Sequence, residues 1–228
     1  MTPLLLIPGH MCDGRMWGPQ LAAFAHRPIQ LAEIAGAETV EALAASVLAS
    51  APPTFALAGL SMGGIVAMEV ARQAPGRVER LALLDTNPLP EAEAVKAERR
   101  ARMARVAEGR LAEVVREEMK PLYLAPGPGK GAIMDLCHDM AVGLGPEVFR
   151  RQSLALMSRP DQRETLRSLR VPALILTGAE DRLVPFERHG LMAGLMPQAR
   201  LVVVEGAGHL PVLENPAATD AALREWLA

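Results

Sequence analysis

Short apolar runs alternate with longer amphipathic stretches along much of this chain. Each run has the length of a strand, shows no regular alternation of apolar and polar residues, and is bounded by glycine or proline. Such runs are typical of parallel strands that are buried on both faces of a sheet. Five runs have this character: residues 4–7, 55–60, 81–84, 173–177 and 201–204. A weaker candidate strand covers residues 29–31.

The stretches between these runs carry apolar residues at spacings of three and four, which predicts helices. The predicted helices cover residues 17–25, 40–49, 62–74, 187–196 and 217–227. Pro75 and Gly76 end the third helix, and Asn215 with Pro216 opens the last one. This alternation predicts an α/β protein with a mostly parallel, doubly wound sheet.

The segment from residue 89 to residue 169 breaks the alternation, because it contains no candidate strand. Its pattern predicts helices, punctuated by Pro121 and a Pro-Gly-Pro-Gly turn, at residues 91–107, 111–119, 132–140, 146–157 and 161–169. We therefore expect a helical cap, residues 89–169, inserted into an α/β core of residues 1–88 and 170–228. Its Arg- and Glu-rich start is interpreted as a solvated helix face with internal ion pairs; the alternative is a site for a charged partner.

Composition narrows the class of protein. Half of the 228 residues are apolar, which allows a large core and argues against a disordered chain. A formal charge of −2 and an aromatic content of 3% give no reason to expect nucleic acid or an anionic membrane as partner. Two cysteines form no disulfide framework and favour a reducing compartment. No targeting segment or membrane span is recognisable, so we expect a cytoplasmic protein.

The clearest chemical motif is Gly-Leu-Ser-Met-Gly at residues 59–63, which matches G-x-S-x-G. It directly follows a predicted strand and directly precedes a predicted helix, which is the context of a nucleophile elbow. Ser61 is therefore the predicted nucleophile. The alternative is a glycine-rich turn that contains an incidental serine.

A serine nucleophile needs a base, usually histidine, that is oriented by a carboxylate, and for this elbow the chain order is serine, acid, histidine. His209 lies in a glycine-rich loop after the last predicted strand and is the candidate base. Asp181 follows the predicted strand 173–177 and is the candidate acid. Glu180 and Asp85 remain alternatives, although an aspartate placed like Asp85 more often caps a turn.

An acyl-transfer intermediate also needs two backbone N–H donors aimed at its oxyanion. We expect one from Met62, the residue after the nucleophile, and one from His10 in the loop after the first strand. The His10 side chain either faces the substrate or caps its own loop. Cys12, close by, is interpreted as a small buried filler rather than a reactive thiol.

Four motifs together resemble the α/β-hydrolase superfamily: Leu-Leu-Ile-Pro-Gly-His, Gly-Leu-Ser-Met-Gly-Gly, Leu-Thr-Gly-Ala-Glu-Asp-Arg-Leu-Val-Pro and Gly-Ala-Gly-His-Leu. Within it, the chain looks like the compact bacterial carboxylesterases, including the pimeloyl-acyl-carrier-protein methyl esterase type. This resemblance implies a parallel sheet with a helical cap, and Ser61, Asp181 and His209 as the catalytic triad. Many relatives carry His-Gly at the start of the oxyanion loop, where this chain has Pro8 and Gly9.

The residues and the resemblance lead to one expected activity. We expect a serine hydrolase that cleaves a small-molecule ester of a small or medium acyl group through an acyl-enzyme. No metal or organic cofactor is expected, because no zinc-spaced Cys/His cluster, G-x-G-x-x-G or Walker A motif is present. The alternatives are an acyltransferase, a thioesterase or a cofactor-free perhydrolase with the same triad, and a non-catalytic binding protein.

The substrate pocket is expected between cap and core. The alanine, leucine and methionine residues of the cap favour an apolar pocket for an aliphatic acyl group. Arg159 lies where the cap returns to the core. It is expected to form a structural ion pair, with recognition of a substrate carboxylate as the alternative.

Overall fold

The computed structural model describes residues 1–119 and 122–228. Within them, six parallel strands form one sheet in the order β2-β1-β3-β4-β5-β6. The strands are β1 (Leu4–Ile7), β2 (Ile29–Leu31), β3 (Phe55–Leu60), β4 (Val78–Leu84), β5 (Ala173–Gly178) and β6 (Ala199–Val204). Every predicted strand is present, and the predicted α/β fold with a parallel sheet is confirmed.

Helices cover both faces of this sheet. They are α1 (Gly18–Ala23), α2 (Val40–Ser50), α3 (Met62–Gln73), α4 (Glu93–Ala107), α5 (Leu111–Glu113), α6 (Lys130–Met157), α7 (Arg163–Ser168), α8 (Phe186–Leu195), α9 (Pro211–Glu214) and α10 (Pro216–Leu227). A π-helical turn, Val114–Met119, continues α5. None of the helices in the described ranges has the length and apolar character to cross a membrane.

The inner strands are apolar without alternation because both faces of the sheet are buried. Successive residues of one strand belong to opposite cores: Leu4 packs on one side of β1 and Leu5 on the other. The core that contains Leu4 continues into the helices that follow β4, through residues such as Val114 and Phe149. The helical segment is thus packed on the same apolar cluster as one face of the sheet.

The chain between β4 and β5 contains α4 to α7 and, in its described part, no strand. The helices predicted at 132–140 and 146–157 meet within α6 at a break, where Gly145 has a φ of 84° and Pro146 follows. Pro121 lies outside the described residues. Pairs such as Lys96 with Glu93 (2.8 Å) lie on the largely exposed α4, in keeping with the solvated-face interpretation. The exact limits of a cap at 89–169 remain a prediction.

The order of the strands places a crevice beside β1. From β1 the chain turns to β2 on one side, whereas from β3 it turns to β4 on the other. The loops that leave the carboxyl ends of β1 and β3 therefore diverge. In open parallel sheets, ligands bind at this kind of switch point.

Candidate active site

Ser61 alone makes the turn from β3 to α3, because β3 ends at Leu60 and α3 begins at Met62. Its φ of 55° and ψ of −117° lie in a region that costs a non-glycine residue about 1–3 kcal/mol. The turn is held by the Ser61 N–H, which donates to the Leu84 carbonyl (2.9 Å), and by the Thr86 hydroxyl, which donates to the Ser61 carbonyl (2.7 Å). The strand-to-helix turn predicted at Ser61 is therefore present and strained, and it is held by hydrogen bonds from both sides; the role of Ser61 as nucleophile remains a prediction.

The glycines around Ser61 are required by close packing of the backbone. A methyl group on Gly59 would lie 2.2 Å from the Gly63 carbonyl oxygen, and one on Gly63 would lie 2.3 Å from the Ile7 carbonyl oxygen. The elbow therefore packs directly onto itself and onto the end of β1. Residues with a side chain do not fit at either position.

The structure brings the three predicted triad residues together. His209 Nε2 lies 2.8 Å from Ser61 Oγ, and His209 Nδ1 lies 2.9 Å from Asp181 Oδ2. The side chains of His209 and Asp181 are only 2% and 1% exposed. Glu180, the neighbouring alternative for the acid, is exposed. The geometry is that of a nucleophile, a base and an orienting carboxylate.

Asp181 is held as an anion. Its Oδ1 accepts the backbone N–H groups of Leu183 (2.8 Å) and Val184 (3.2 Å). Burial acts to raise the pKa of Asp181, but the charge and hydrogen bond of His209 and these two N–H groups outweigh burial and lower it. A carboxylate at this position fixes the proton of His209 on Nδ1 and leaves Nε2 free to accept the Ser61 proton.

The two predicted oxyanion donors border Ser61. Met62 is the first residue of α3, so its N–H has no acceptor within the helix. The loop after β1 lies against Ser61, since a methyl group on Gly9 would be 3.5 Å from Ser61 Cβ. His10 follows Gly9; its ring packs on Phe149 (5.4 Å between centroids) and lines the cavity described below. The donor role of both N–H groups remains a prediction.

Gln152 of α6 anchors the loop that follows β1. Sequence reasoning missed this role of Gln152. Its Oε1 accepts the Met11 N–H (2.8 Å), and its Nε2 donates to the Ile34 carbonyl (3.0 Å). Met11 has a φ of 52°, so the loop is tightly bent at this point. Cys12 beside it is buried, as expected of a small filler. No local pattern marks Gln152, because its partners are more than 100 residues away in sequence.

Glu214 is the second functional residue that sequence reasoning did not assign. Its Oε1 accepts the N–H groups on both sides of His209, from Gly208 (3.0 Å) and Leu210 (2.9 Å). Its Oε2 accepts the N–H of Ala125 (2.7 Å). One carboxylate thus joins the loop of the base to the helical segment. The available signal was its place five residues after His209, at the end of α9.

Asp85 does not cap its own turn, which was the expected role for it. The residue is fully buried, and its Oδ1 accepts the N–H of Gly178 on β5 (2.9 Å). Burial raises its pKa well above the usual range, the charge of Asp181 raises it further, and the Gly178 N–H opposes both. The turn after β4 is capped instead by Asn87, which accepts the Leu89 N–H (3.0 Å).

Asp85, Asp181 and His209 could place one ligand atom each within 4.8 Å of one another. Among the described residues, this is the one group of three His, Cys, Asp or Glu side chains whose spacing could hold a metal ion. His209 Nδ1 and Asp181 Oδ2 are, however, already bonded to each other. The cluster therefore fits the acid end of a hydrogen-bonded triad.

A cavity of about 320 Å³ opens above Ser61 and His209. Its wall is mixed rather than purely apolar. Apolar contacts come from residues such as Ile65, Leu156 and Leu122, whereas Arg182 supplies a charge. The prediction of an aliphatic pocket thus applies only to part of the wall.

Arg159 lies in this wall but forms the ion pair that was expected. It donates to Glu91 Oε1 (2.9 Å) and to the Leu89 carbonyl (2.8 Å). Arg99 binds the same carboxylate with two hydrogen bonds (2.8 and 2.9 Å), and the Glu91 side chain is only 1% exposed. Arg159 therefore shares the single negative charge of Glu91 with Arg99.

A family model described as the alpha/beta hydrolase family matches residues 4–222. The chain belongs to this family. The pimeloyl-[acyl-carrier protein] methyl ester esterase of Klebsiella pneumoniae strain 342 is 29% identical over 244 residues, which cover 94% of this chain and 89% of that protein. A second esterase with the same description, from Aromatoleum aromaticum, is 28% identical over 78% of this chain and 76% of its own length.

Solved structures agree with this membership of the alpha/beta hydrolase family. The malate-bound thermophilic esterase from Thermogutta terrifontis is 31% identical, with a TM-score of 0.90 over 100% of this chain and 89% of that one. The enol-lactonase from Burkholderia xenovorans LB400 has a TM-score of 0.86 at 20% identity over 99% of this chain and 91% of that one. The second likeness shows the fold alone. An esterase-type hydrolase is thus supported by relatives as well as by fold.

Proposed function

We propose that this chain is a serine hydrolase that cleaves carboxylic esters of small or medium acyl groups through an acyl-enzyme at Ser61. The observation that carries the proposal is the continuous hydrogen-bonded path from Ser61 Oγ through His209 to Asp181. This path ends at the cavity, where an ester carbonyl can approach Ser61.

In the first half of the reaction, His209 Nε2 takes the proton of Ser61 as Oγ attacks the ester carbonyl. The negative charge then moves to the carbonyl oxygen, which the N–H groups of His10 and Met62 stabilise. When the tetrahedral intermediate collapses, the bond to the alcohol breaks and His209 gives its proton to the leaving oxygen. Asp181 stabilises the positive charge that His209 carries between these transfers.

In the second half, water replaces the alcohol. His209 takes a proton from the water, whose oxygen attacks the acyl carbon, and the collapse of the second intermediate returns the proton to Ser61. The products are the alcohol and the carboxylic acid. The chain's own groups carry each proton, so the residues of the triad and the two N–H donors account for the whole cycle.

The cavity supports a limited substrate size. About 320 Å³ is at the lower end of ligand pockets, which suits a short or medium acyl chain better than a long one. The relatives described as methyl ester esterases support a small alcohol as the leaving group. We therefore propose short alkyl esters as the substrate class.

A panel of p-nitrophenyl esters from acetate to decanoate tests the proposal. Turnover should fall towards the long chains, and Ser61→Ala should lower kcat by at least about a thousandfold, because it removes the nucleophile. Ser158→Ala is the matched control, since that serine only donates to carbonyls of its own helix and lies outside the cavity. Equal activity of Ser61→Ala and wild type would refute the proposal.

Competing acceptors separate this reaction from other uses of the same triad. The proposal predicts that the carboxylic acid remains the main product when simple alcohols or peroxide are added. A dominant transfer product, a marked preference for thioesters, or ligand binding with no turnover would replace the esterase by a transferase, a thioesterase or a binding protein.

A further inference from the structure

A second buried carboxyl group lies beside the proposed catalytic acid. Asp85, at the carboxyl end of β4, is fully buried. One carboxyl oxygen of Asp85, one of Asp181 and one ring nitrogen of His209 lie within 4.8 Å of one another. Two buried carboxylates at such a separation disfavour each other's charge, because repulsion and loss of hydration both favour a proton on one of them.

The hydrogen-bond donors decide which aspartate holds the proton. Asp181 accepts three donors: His209 Nδ1 (2.9 Å) and the two backbone N–H groups that follow it (2.8 and 3.2 Å). Asp85 accepts the Gly178 N–H on Oδ1 (2.9 Å), while its Oδ2 has no hydrogen-bond partner among the described residues. Donors to a carboxylate favour its charged form, so the proton belongs on Asp85 Oδ2.

We propose that Asp85 is a neutral carboxylic acid that donates from Oδ2 to the Asp181 carboxylate and acts as a positioning residue for the triad. It gives Asp181 a further donor that fixes its orientation towards His209. It also keeps a single negative charge facing the imidazole. A second charge would hold the proton on His209 more strongly and oppose its delivery to the leaving group. The inference rests on the proposed function of Ser61, His209 and Asp181.

Few other groups around Asp85 could donate a proton to the Asp181 carboxylate. His189 on α8 also acts on Asp181 and His209, but burial lowers its pKa to about 4, so it is neutral at neutral pH. The Thr177 hydroxyl on β5 donates to the Gly178 carbonyl (3.2 Å); as a donor towards Asp85 it also opposes the rise in the pKa of Asp85, but less than burial and the charge of Asp181 raise it. Charged side chains line the adjoining cavity: Glu91, Glu98, Arg99, Arg102, Glu118, Arg159 and Arg182.

The pH dependence of kcat/KM tests the proposal. Asp85→Ala removes the donor and should lower kcat at least about tenfold. The conservative Asp85→Asn keeps a donor to Asp181 and an acceptor for Gly178, so it should restore most of that loss and leave the acidic midpoint within about 0.3 pH unit of wild type. If Asp85 were ionised, Asp85→Asn would remove a charge near His209 and move this midpoint down by about one unit or more, which would overturn the proposal.

A matched control uses a buried aspartate outside the site. Asp220 accepts the Gln20 side-chain amide (2.9 Å) and does not line the cavity. Asp220→Asn should therefore move neither the midpoint nor kcat, whatever it does to stability. If Asp220→Asn lowered kcat as much as Asp85→Ala does, the loss in Asp85→Ala would not be specific to the site, and a positioning role for Asp85 would be contradicted.

Infrared spectroscopy tests the protonation state without relying on activity. At pH 7 the wild-type protein, labelled with ¹³C in its aspartate carboxyl groups, should show the carbonyl absorption of a protonated carboxylic acid, and Asp85→Asn should remove it. Absence of this absorption from wild type would overturn the proposal even if Ser61 proves to be the nucleophile. Failure of Asp85→Asn to fold would also contradict it, because asparagine has the shape and polarity of the neutral acid.

Discussion

Glu214→Gln is predicted to loosen the loop that carries His209, although it replaces none of the three side chains of the proposed triad. The Glu214 carboxylate accepts three backbone N–H groups, from Gly208 and Leu210 on one oxygen and from Ala125 on the other. Glutamine keeps one acceptor oxygen but replaces the other by an NH₂ group. If its oxygen accepts the N–H groups of Gly208 and Leu210, its NH₂ group faces the Ala125 N–H. Both of these groups are donors, so the Ala125 N–H loses its acceptor.

The size of the effect follows from these contacts. Ala125 and both residues flanking His209 are buried, so an N–H group that loses its acceptor there costs about 1–3 kcal/mol. The two remaining bonds also lose their charge assistance, which makes the total about 2–4 kcal/mol for Glu214→Gln. Because Oε1 holds both sides of His209, we also expect kcat to fall about tenfold or more through less accurate placement of the imidazole.

Urea unfolding and p-nitrophenyl butyrate kinetics measure the two effects. Glu205→Gln is the matched control, since Glu205 lies in the same loop with an exposed side chain. The control should stay within about 0.5 kcal/mol of wild type. If Glu214→Gln matches wild type in both free energy of unfolding and kcat, the reasoning about this carboxylate is wrong.

Three further predictions concern stability. Burial lowers the pKa of His189 to about 4, so below about pH 6.5 the unfolded chain binds a proton at this residue and the folded chain does not. The free energy of unfolding should therefore fall by up to about 3 kcal/mol between pH 6.5 and 4. His189→Gln should flatten this fall in urea titrations; an unchanged fall would show that His189 is not its cause. Gly178→Ala would put a methyl group 1.9 Å from the Gly208 carbonyl oxygen and should lower the melting temperature, because the protein loses at least about 2 kcal/mol of stability. Gly190→Ala, in open space on α8, should instead raise the free energy of unfolding by about 0.5–1 kcal/mol. Equal effects of the two substitutions would contradict the close packing at Gly178. Glu91→Gln should cost about 3–5 kcal/mol in chemical unfolding, because it leaves two arginines without their carboxylate, and a neutral result would show that this buried ion pair is not needed.

The strands and the turn at Ser61 were predictable because their signals are local. The short length of an apolar run and the glycine or proline at its ends favour a buried strand over a buried helix, and β1 and β3 begin and end at the predicted residues. The turn at Ser61 has an equally local signal, since so tight a turn from strand to helix has room for no side chain at Gly59 or Gly63. Asp181 and His209 were found because the loops at the carboxyl ends of parallel strands share one edge of the sheet.

The residues that support the site were not predictable from their neighbours in sequence. Glu214 and Gln152 act on loops that the fold brings to them, and nothing in the adjacent sequence names those loops as partners. Asp85 was given a local role, the capping of its own turn, because an Asp before Thr-Asn-Pro usually has one. Its actual contact is with Gly178, 93 residues later on the neighbouring strand. Contacts of this kind depend on the register of the sheet, which the pattern of apolar residues does not fix.

Covalent labelling with a fluorophosphonate tests the central claim most directly, because such a reagent reacts with a serine that a neighbouring base has activated. Intact-protein mass spectrometry should show one phosphonyl group on wild type, peptide mapping should place it on Ser61, and Ser61→Ala should remain unlabelled. His209→Ala should be labelled far more slowly, since it lacks the base. Labelling of Ser61→Ala to the same extent as wild type, or ester hydrolysis by a protein whose Ser61 does not react, would contradict the account.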